Sequence, residues 1–247
     1  MDEERPRALI GIVAPATNIM VQPEMEALRP VGVINAHARI ANPDQRVASD
    51  ADTLVVRAAM VAGLDAALDT LKPAAPDHVV LGVMVENFVE GPGAGARLLE
   101  AARTRLGCGV TDYTTAIGAA LAALFGRPVR LAVLTPFMPV GDAAARRLFE
   151  EAGHDVVRIL GLRAPGPAAI ARVPRARILD ALRALDGPEV EAIVQVGTNL
   201  PFAEIARAAE AERAKPVLAS NPVSYWHALR AAGVAEAMPQ HGRLFAL

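Results

Sequence analysis

The amino-acid sequence predicts an α/β fold with two pseudo-symmetric, Rossmann-like lobes, each built on a parallel sheet, and an active site in the cleft between them. Short apolar runs alternate with longer helical patterns, which is typical of βαβ units. Two runs, His78–Asn87 and Glu191–Leu200, pass from apolar to polar residues. Strands buried on both faces have this pattern, and ligands bind past their carboxyl ends.

The individual elements follow from the period of the apolar residues and from the turn residues between them. Strands are predicted at Ala8–Val13, Val31–Ala36, His78–Val83, Val129–Leu134, Asp155–Gly161, Ala192–Val196 and Pro216–Ala219. Helices are predicted at Asp50–Thr70, Ala94–Arg105, Tyr113–Phe125, Asp142–Ala152, Arg175–Leu185, Pro201–Ala214 and Pro222–Ala232. Asn221 before Pro222 has the pattern of a helix N-cap, and the Pro-, Ala- and Gly-rich segment 163–174 that of a surface loop.

The two halves of the chain resemble each other. Leu9–Asn18 and Leu131–Met138 both read as a strand, a small residue, a proline and a polar loop. We interpret this as an internal duplication, although any two βα units share part of the pattern. We expect a first lobe of residues 1–126 plus 221–247 and a second lobe of residues 127–220.

Composition excludes several classes of function. The net charge of −2 comes from interspersed acids and bases, which argues against a nucleic-acid groove and against a basic membrane surface. The single cysteine, Cys108, allows no intramolecular disulfide and no multi-cysteine metal site. No secretory segment or membrane span is recognised, so we expect a cytoplasmic protein. A homo-oligomer is possible, but its interface is not indicated.

Glu86 is the leading candidate for catalysis. It follows a strand predicted to be buried, where partial loss of hydration would raise its pKa towards values useful for acid–base chemistry. The alternative is a solvated loop carboxylate. Asn87 could polarise a substrate carbonyl or hold Glu86, and as a structural residue it would belong to a turn.

Hydroxyl and amide side chains near other strand ends and helix starts are candidates for binding an anion. Backbone N–H groups at the start of the helix from Pro201 are expected to point to the same space. Each of these residues alone is more often a helix cap than a ligand contact. The candidates are Thr17, Asn18, Thr114, Thr115, Gly197, Thr198 and Asn199, with Tyr225 on the last helix. We expect Thr198 to take part in catalysis beside Glu86.

At these positions the chain resembles the Asp/Glu racemase superfamily, and most closely its branch of maleate cis-trans isomerases and arylmalonate decarboxylases. The matching stretches are Ile10–Asn18, Tyr113–Ala116, Leu134–Phe137, Val196–Pro201 and Lys215–Trp226. The resemblance implies two pseudo-symmetric α/β lobes, a small carboxylic acid as substrate, and neither cofactor nor metal. Phe137 stands where the decarboxylases have a tyrosine that binds the substrate carboxylate.

The chain departs from this family in its cysteines. The resemblance implies a cysteine at one or both of two strand ends, around Met84-Val85 and around Val196–Thr198, and neither stretch contains one. Val85, which lies in the first of these stretches, is a substrate-binding candidate. Cys108, in an apolar setting, is interpreted as a small core residue.

Three functions are compatible with these residues. The first is a cofactor-independent isomerase, decarboxylase or lyase that acts next to the carboxylate or carbonyl of a small acid, with Glu86 as proton carrier. The second is a hydrolase in which Glu86 activates water against a small amide or cyclic imide. The third is a binding protein that keeps the cleft but has no turnover.

Overall fold

The fold consists of two parallel four-stranded sheets surrounded by helices, as seen in a computed structural model that describes residues 6–83 and 93–247. The strands are β1 (Ala8–Pro15), β2 (Val33–Ile40), β3 (His78–Leu81), β4 (Gly109–Thr111), β5 (Arg130–Thr135), β6 (Asp155–Gly161), β7 (Ala192–Gln195) and β8 (Val217–Leu218). The helices are α1 (Val21–Glu26), α2 (Asp50–Leu71), α3 (Ala94–Leu106), α4 (Tyr113–Phe125), α5 (Pro139–Glu151), α6 (Pro167–Ile170), α7 (Arg175–Leu185), α8 (Ala203–Arg213) and α9 (Ser220–Ala231).

The two sheets have the same topology, which confirms the predicted pair of similar lobes. The first sheet has the order β2-β1-β3-β4 and the second the order β6-β5-β7-β8, and every pairing is parallel. In each sheet the first strand lies between the second and the third. The carboxyl ends of the two central strands therefore lie side by side at one edge of each sheet, where α/β folds bind ligands.

A shared hydrophobic core joins the lobes. It contains Ile12 of β1 and Val133 of β5, together with Tyr113 of α4 and Trp226 of α9, and all are buried. Two further clusters cover the outer faces of the sheets. Helix α9 packs against α4, α1, β3 and β4 of the first sheet's side. The chain positions at which we divide the lobes stay a prediction.

Several sequence predictions of local structure are wrong. Strand β2 begins at Val33, because Val31 lies in the turn before it and is 89% exposed. Helix α9 begins at Ser220, so Asn221 lies within the helix and is not its N-cap. The sequence analysis also missed α1, β4 and α6, and α6 lies in the segment predicted to be a loop.

The shared core yields a stability prediction. Phe149 of α5 is 1% exposed and packs in this core, so Phe149→Ala removes a large buried ring and leaves a cavity. We expect the free energy of unfolding to fall by about 3–5 kcal/mol, measured by urea denaturation. Val31→Ala is the control, because Val31 is exposed, and it should change stability by less than about 0.5 kcal/mol. Equal losses in both variants would contradict the assignment of Phe149 to the core.

Candidate functional site

A cleft of about 160 Å³ opens at the carboxyl ends of the central strands of both sheets. Its walls include residues that end or follow β1, β3, β5 and β7, together with one face of α2 and one face of α5. The strand-end residues are Pro15, Thr17, Asn18, Val83, Pro136, Phe137, Met138, Gly197, Thr198 and Asn199. The cleft thus lies where the sequence pattern predicted the ligand site.

The structure brings together part of the predicted site. Thr17, Asn18, Phe137, Gly197, Thr198 and Asn199 line the cleft. Thr114, Thr115 and Tyr225 are not among its described lining residues. Val85, Glu86 and Asn87 lie outside the described residues, as does the first of the two strand ends where the family resemblance implies a cysteine.

Asn18 and Thr198 connect the two lobes across the floor of the cleft. The Nδ2 of Asn18 donates to the Oγ1 of Thr198 at 3.0 Å, and this hydroxyl donates to the carbonyl oxygen of Gly82 at 2.9 Å. The Oδ1 of Asn18 accepts from the backbone N–H groups of Met20 and Val21. Both side chains thus hold the strand ends in register, and Thr198 has no spare hydroxyl hydrogen for a substrate.

Asn199 is likewise engaged, by the loop after β1 of the opposite lobe and by α6 of its own lobe. Its Oδ1 accepts from the backbone N–H of Ile19 at 2.9 Å. Its Nδ2 donates to the carbonyl oxygens of Thr17 at 3.2 Å and Pro167 at 2.8 Å. Since both amide hydrogens are used, the side chain fixes the loop after β1, and a bound anion would have to be held by other donors.

The N-terminus of α8 is occupied by a carboxylate of the protein itself. The Oε1 of Glu24, on α1, accepts from the backbone N–H groups of Phe202 and Ala203, both at 3.0 Å. The Oε2 accepts from the Nδ2 of Asn221 at 2.7 Å, and this same amide nitrogen donates to the carbonyl oxygen of Thr198 at 2.8 Å. These first N–H groups of α8 are therefore not directed at a substrate anion, contrary to the expectation from sequence.

The buried environment of Glu24 shifts the pKa of its carboxyl group. Loss of hydration raises the pKa of Glu24 above its usual value near 4.5, while the three hydrogen bonds from Ala203, Asn221 and Phe202 act in the opposite direction. The positive end of the α8 dipole also favours the charged form. The carboxyl group thus holds both lobes at the base of the cleft in either protonation state, since both forms can accept hydrogen bonds.

Gly197 adopts a backbone conformation that side chains rarely take. Its φ is +118°, and a Cβ at this position would lie 2.7 Å from the Cδ of Pro136 and 3.2 Å from the Cζ of Phe137. Its N–H donates to the Oγ of Ser220 at 3.1 Å, which fixes the peptide further. A cysteine would therefore not fit at this strand end unless the Pro136-Phe137 loop moved.

The loop that carries Phe137 is held by a polar network that the sequence analysis missed. The hydroxyl of Thr135 donates to Asp142 and accepts from the backbone N–H of Phe137 at 3.1 Å. The Nη1 of Arg163 lies 2.6 Å from the Oδ2 of Asp142 and 2.6 Å from the carbonyl oxygen of Phe137. Arg163 itself has a φ of +54°. The network fixes the position of the Phe137 backbone at the wall of the cleft.

Two predicted binding residues, Tyr225 and Thr115, have structural partners elsewhere, whereas the Thr114 side chain has none among the described residues. The hydroxyl of Tyr225 donates to the Oδ1 of Asn35 at 2.9 Å, and burial raises the pKa of Tyr225. The side chain of Asp112 caps α4 by accepting from the backbone N–H of Thr115 at 3.0 Å. The buried Oγ1 of Thr114 has no hydrogen-bond partner among the described residues.

Two arginines that the sequence analysis did not select line the cleft. Arg57 of α2 and Arg147 of α5 approach it from opposite lobes, and no described lining residue is acidic. The rest of the α2 and α5 lining is largely apolar, as shown by Val56, Met60 and Val140. The sequence pattern does not distinguish these two arginines from the others, because the chain has many arginines on amphipathic helices.

Within residues 6–83 and 93–247, no group of three or more His, Cys, Asp or Glu side chains is placed to hold a metal ion. The same part of the chain contains no helix that combines the length and hydropathy needed to cross a membrane.

Comparison with known proteins relates the chain to enzymes of small acids. A sequence profile described as arylmalonate decarboxylase matches residues 51–245. Maleate isomerase of Nocardia farcinica is 28% identical over 244 residues, which cover 95% of this chain and 94% of that protein. Arylmalonate decarboxylase of Bordetella bronchiseptica is 33% identical over 164 residues, which cover 64% of this chain and 67% of that protein.

The fold is also similar to that of a solved structure. The crystal structure of Nocardia farcinica maleate cis-trans isomerase bound to Tris has a TM-score of 0.85 at 25% identity, covering 97% of this chain and 98% of that one. The resemblance seen in the sequence is confirmed.

The geometry at Gly197 leads to a test of its role. Gly197→Ala places a Cβ against Pro136 at a positive φ, so we expect a loss of about 1–3 kcal/mol in stability. Circular dichroism should record a melting temperature lower by roughly 2–10 °C. The matched control is Gly118→Ala on α4, where a Cβ meets no atom within 4 Å and stability should be unchanged or slightly higher. Equal melting temperatures for both variants would contradict the close packing at Gly197.

The raised pKa of Glu24 predicts a pH dependence that Glu24→Gln removes. Between pH 4.5 and the raised pKa the folded state holds a proton that the unfolded chain has released. The resulting stability is complete below pH 4.5 and is lost as the pH rises through the folded-state pKa. In urea denaturation, the wild type should therefore lose stability relative to the variant as the pH rises through this window. Glu204→Gln, which removes an exposed carboxylate from the first turn of α8, controls for net charge. Parallel pH profiles for the wild type and Glu24→Gln would contradict this prediction.

Proposed function

Because the chain belongs to the arylmalonate decarboxylase family, we propose that it is a cofactor-independent enzyme that decarboxylates a small malonate-type acid bearing an apolar substituent. The observation that carries this proposal is the lining of the cleft. Its described walls combine apolar side chains with two arginines and contain no carboxylate. Such walls attract an anion and accommodate an apolar group beside it.

The same lining favours decarboxylation over isomerisation of maleate. An apolar cleft of about 160 Å³ suits a malonate that carries a hydrocarbon or aryl substituent better than maleate, which has no such substituent. The family resemblance implies that cysteine adds to the double bond in such isomerisations. Gly197 stands within the second of the two cysteine stretches, and its packing against Pro136 leaves no room for a thiol.

The reaction requires a proton donor. When the bond between the α-carbon and a departing carboxylate breaks, carbon dioxide leaves and an electron pair stays on the substrate, delocalised into the remaining carboxylate as an enediolate. A proton must then reach the α-carbon. We assign this step to Glu86, which follows the cleft residue Val83 by three positions, a reach of at most about 11 Å. Asn87 and Val85 would contact the substrate beside it.

The remaining carboxylate needs hydrogen-bond donors. The hydroxyl of Thr17 accepts from Asn42, and its own hydrogen has no acceptor among the described residues. The backbone N–H groups of Thr198 and Asn199 also make no hydrogen bond to that part of the chain. We assign the carboxylate to these donors and give the Thr198 side chain a positioning role. Phe137 would contact the apolar substituent.

Proton NMR in deuterated water with phenylmalonate as substrate tests the proposal. We expect phenylacetate carrying deuterium on the α-carbon, and Glu86→Gln should lower the rate by about 100-fold or more. The matched control is Glu90→Gln, which removes another carboxylate of the same segment and should keep the rate.

Full activity in Glu86→Gln would reject Glu86 as the proton carrier. Isomerisation of maleate without loss of carbon dioxide from any malonate would reject the decarboxylation. Incorporation of oxygen-18 from water into the product of a small amide or imide would support a hydrolase instead. Thermal stabilisation by acids without turnover would support a binding protein.

A further inference from the structure

Arg147 stands on the face of α5 that forms one wall of the cleft. The lining residues of this helix are Val140, Gly141, Ala144 and Arg147, whose spacing places them on one side of an α-helix. Arg147 is exposed and makes no hydrogen bond or ion pair with any residue in 6–83 or 93–247. Its charge is therefore available to a ligand in the cleft.

The neighbouring arginine has a different environment. The Nη1 of Arg146 donates to the Oε1 of Glu150 at 3.0 Å and to the carbonyl oxygen of Val156 at 2.8 Å. Arg146 is not part of the cleft lining. Arg146 is thus held by the fold, whereas Arg147 faces the cleft.

Arg147 lies along α5 from the end of this helix that packs against Phe137, which in turn contacts Gly197. It is seven residues beyond Val140, which corresponds to two helical turns and about 10 Å along α5. Apolar and small side chains, Val140 and Ala144, occupy the intervening wall. Arg57 adds a second cation from the opposite wall, on α2.

From this arrangement we infer that Arg147 selects substrates with a second anionic group at the far end of their apolar part. The inference rests on the proposed function and narrows its substrate class to acids with an anion at both ends. The inner end of such a substrate binds the donors near Thr198, its apolar part lies along α5, and its outer anion pairs with Arg147.

The test compares acids that differ in the outer carboxylate alone. The probes are pentanoate, hexanoate and heptanoate against glutarate, adipate and pimelate, with binding measured by calorimetry at low and high salt. For the best-fitting length, we expect the wild type to bind the diacid about fivefold or more tightly than the monoacid, a preference that weakens in high salt. Arg147→Gln should lose this preference, Arg147→Lys should keep part of it, and Arg146→Gln should keep it in full.

Each outcome bears on one of the two proposals. Equal binding of diacids and monoacids by the wild type, or a preference that survives in Arg147→Gln, would overturn the role of Arg147 and leave the proposed function in place. Failure of all six acids to bind, together with no turnover of phenylmalonate, would overturn the proposed function and this inference with it. Circular dichroism of each variant checks that the fold is intact.

Discussion

The carboxylate of Glu24 is the contact on which the geometry of the cleft most depends. It binds the first free N–H groups of α8 from a helix of the opposite lobe, and through Asn221 it also binds α9. These hydrogen bonds and the dipole of α8 favour the charged form, loss of hydration opposes it, and the contact orients the two lobes in either protonation state. Because Asn221 also holds the carbonyl oxygen of Thr198, a shift of this carboxylate would move the strand-end loop of β7.

The part of the wall formed by Pro136 and Phe137 is fixed by a different kind of constraint. There the backbone of Gly197 packs so closely against Pro136 and Phe137 that no side chain fits, while Asp142 and Arg163 hold the Phe137 loop from behind. Close packing and polar contacts thus act on the same loop from its two sides. A cysteine side chain at Gly197 would clash with the Pro136-Phe137 loop in its present position. The absence of cysteine there therefore agrees with the local structure.

Long periodic elements could be predicted from the sequence, and short ones could not. The bounds of α4, α7 and β6 agree with the prediction, because their apolar periods and turn residues are complete in the local sequence. Helix α1 has six residues and a proline, and its first N–H groups are bound by Asn18, whose position depends on contacts with Thr198 in the other lobe. The role of Glu24 was missed for the same reason, since its partners lie far away in the chain.

The charges of the cleft limit what can accelerate the proposed decarboxylation. The malonate carries two negative charges, and the enediolate left after carbon dioxide departs carries the same total charge. Arg57 and Arg147 therefore stabilise both to a similar degree, which improves binding without lowering the barrier. Acceleration must come from groups whose contacts strengthen as charge moves onto the enediolate oxygens and as the α-carbon takes its proton. The backbone N–H groups of Thr198 and Asn199 fit the first task, and a carboxylic acid such as Glu86 fits the second. By this argument the arginines determine which acid binds, and the strand ends determine how fast it reacts.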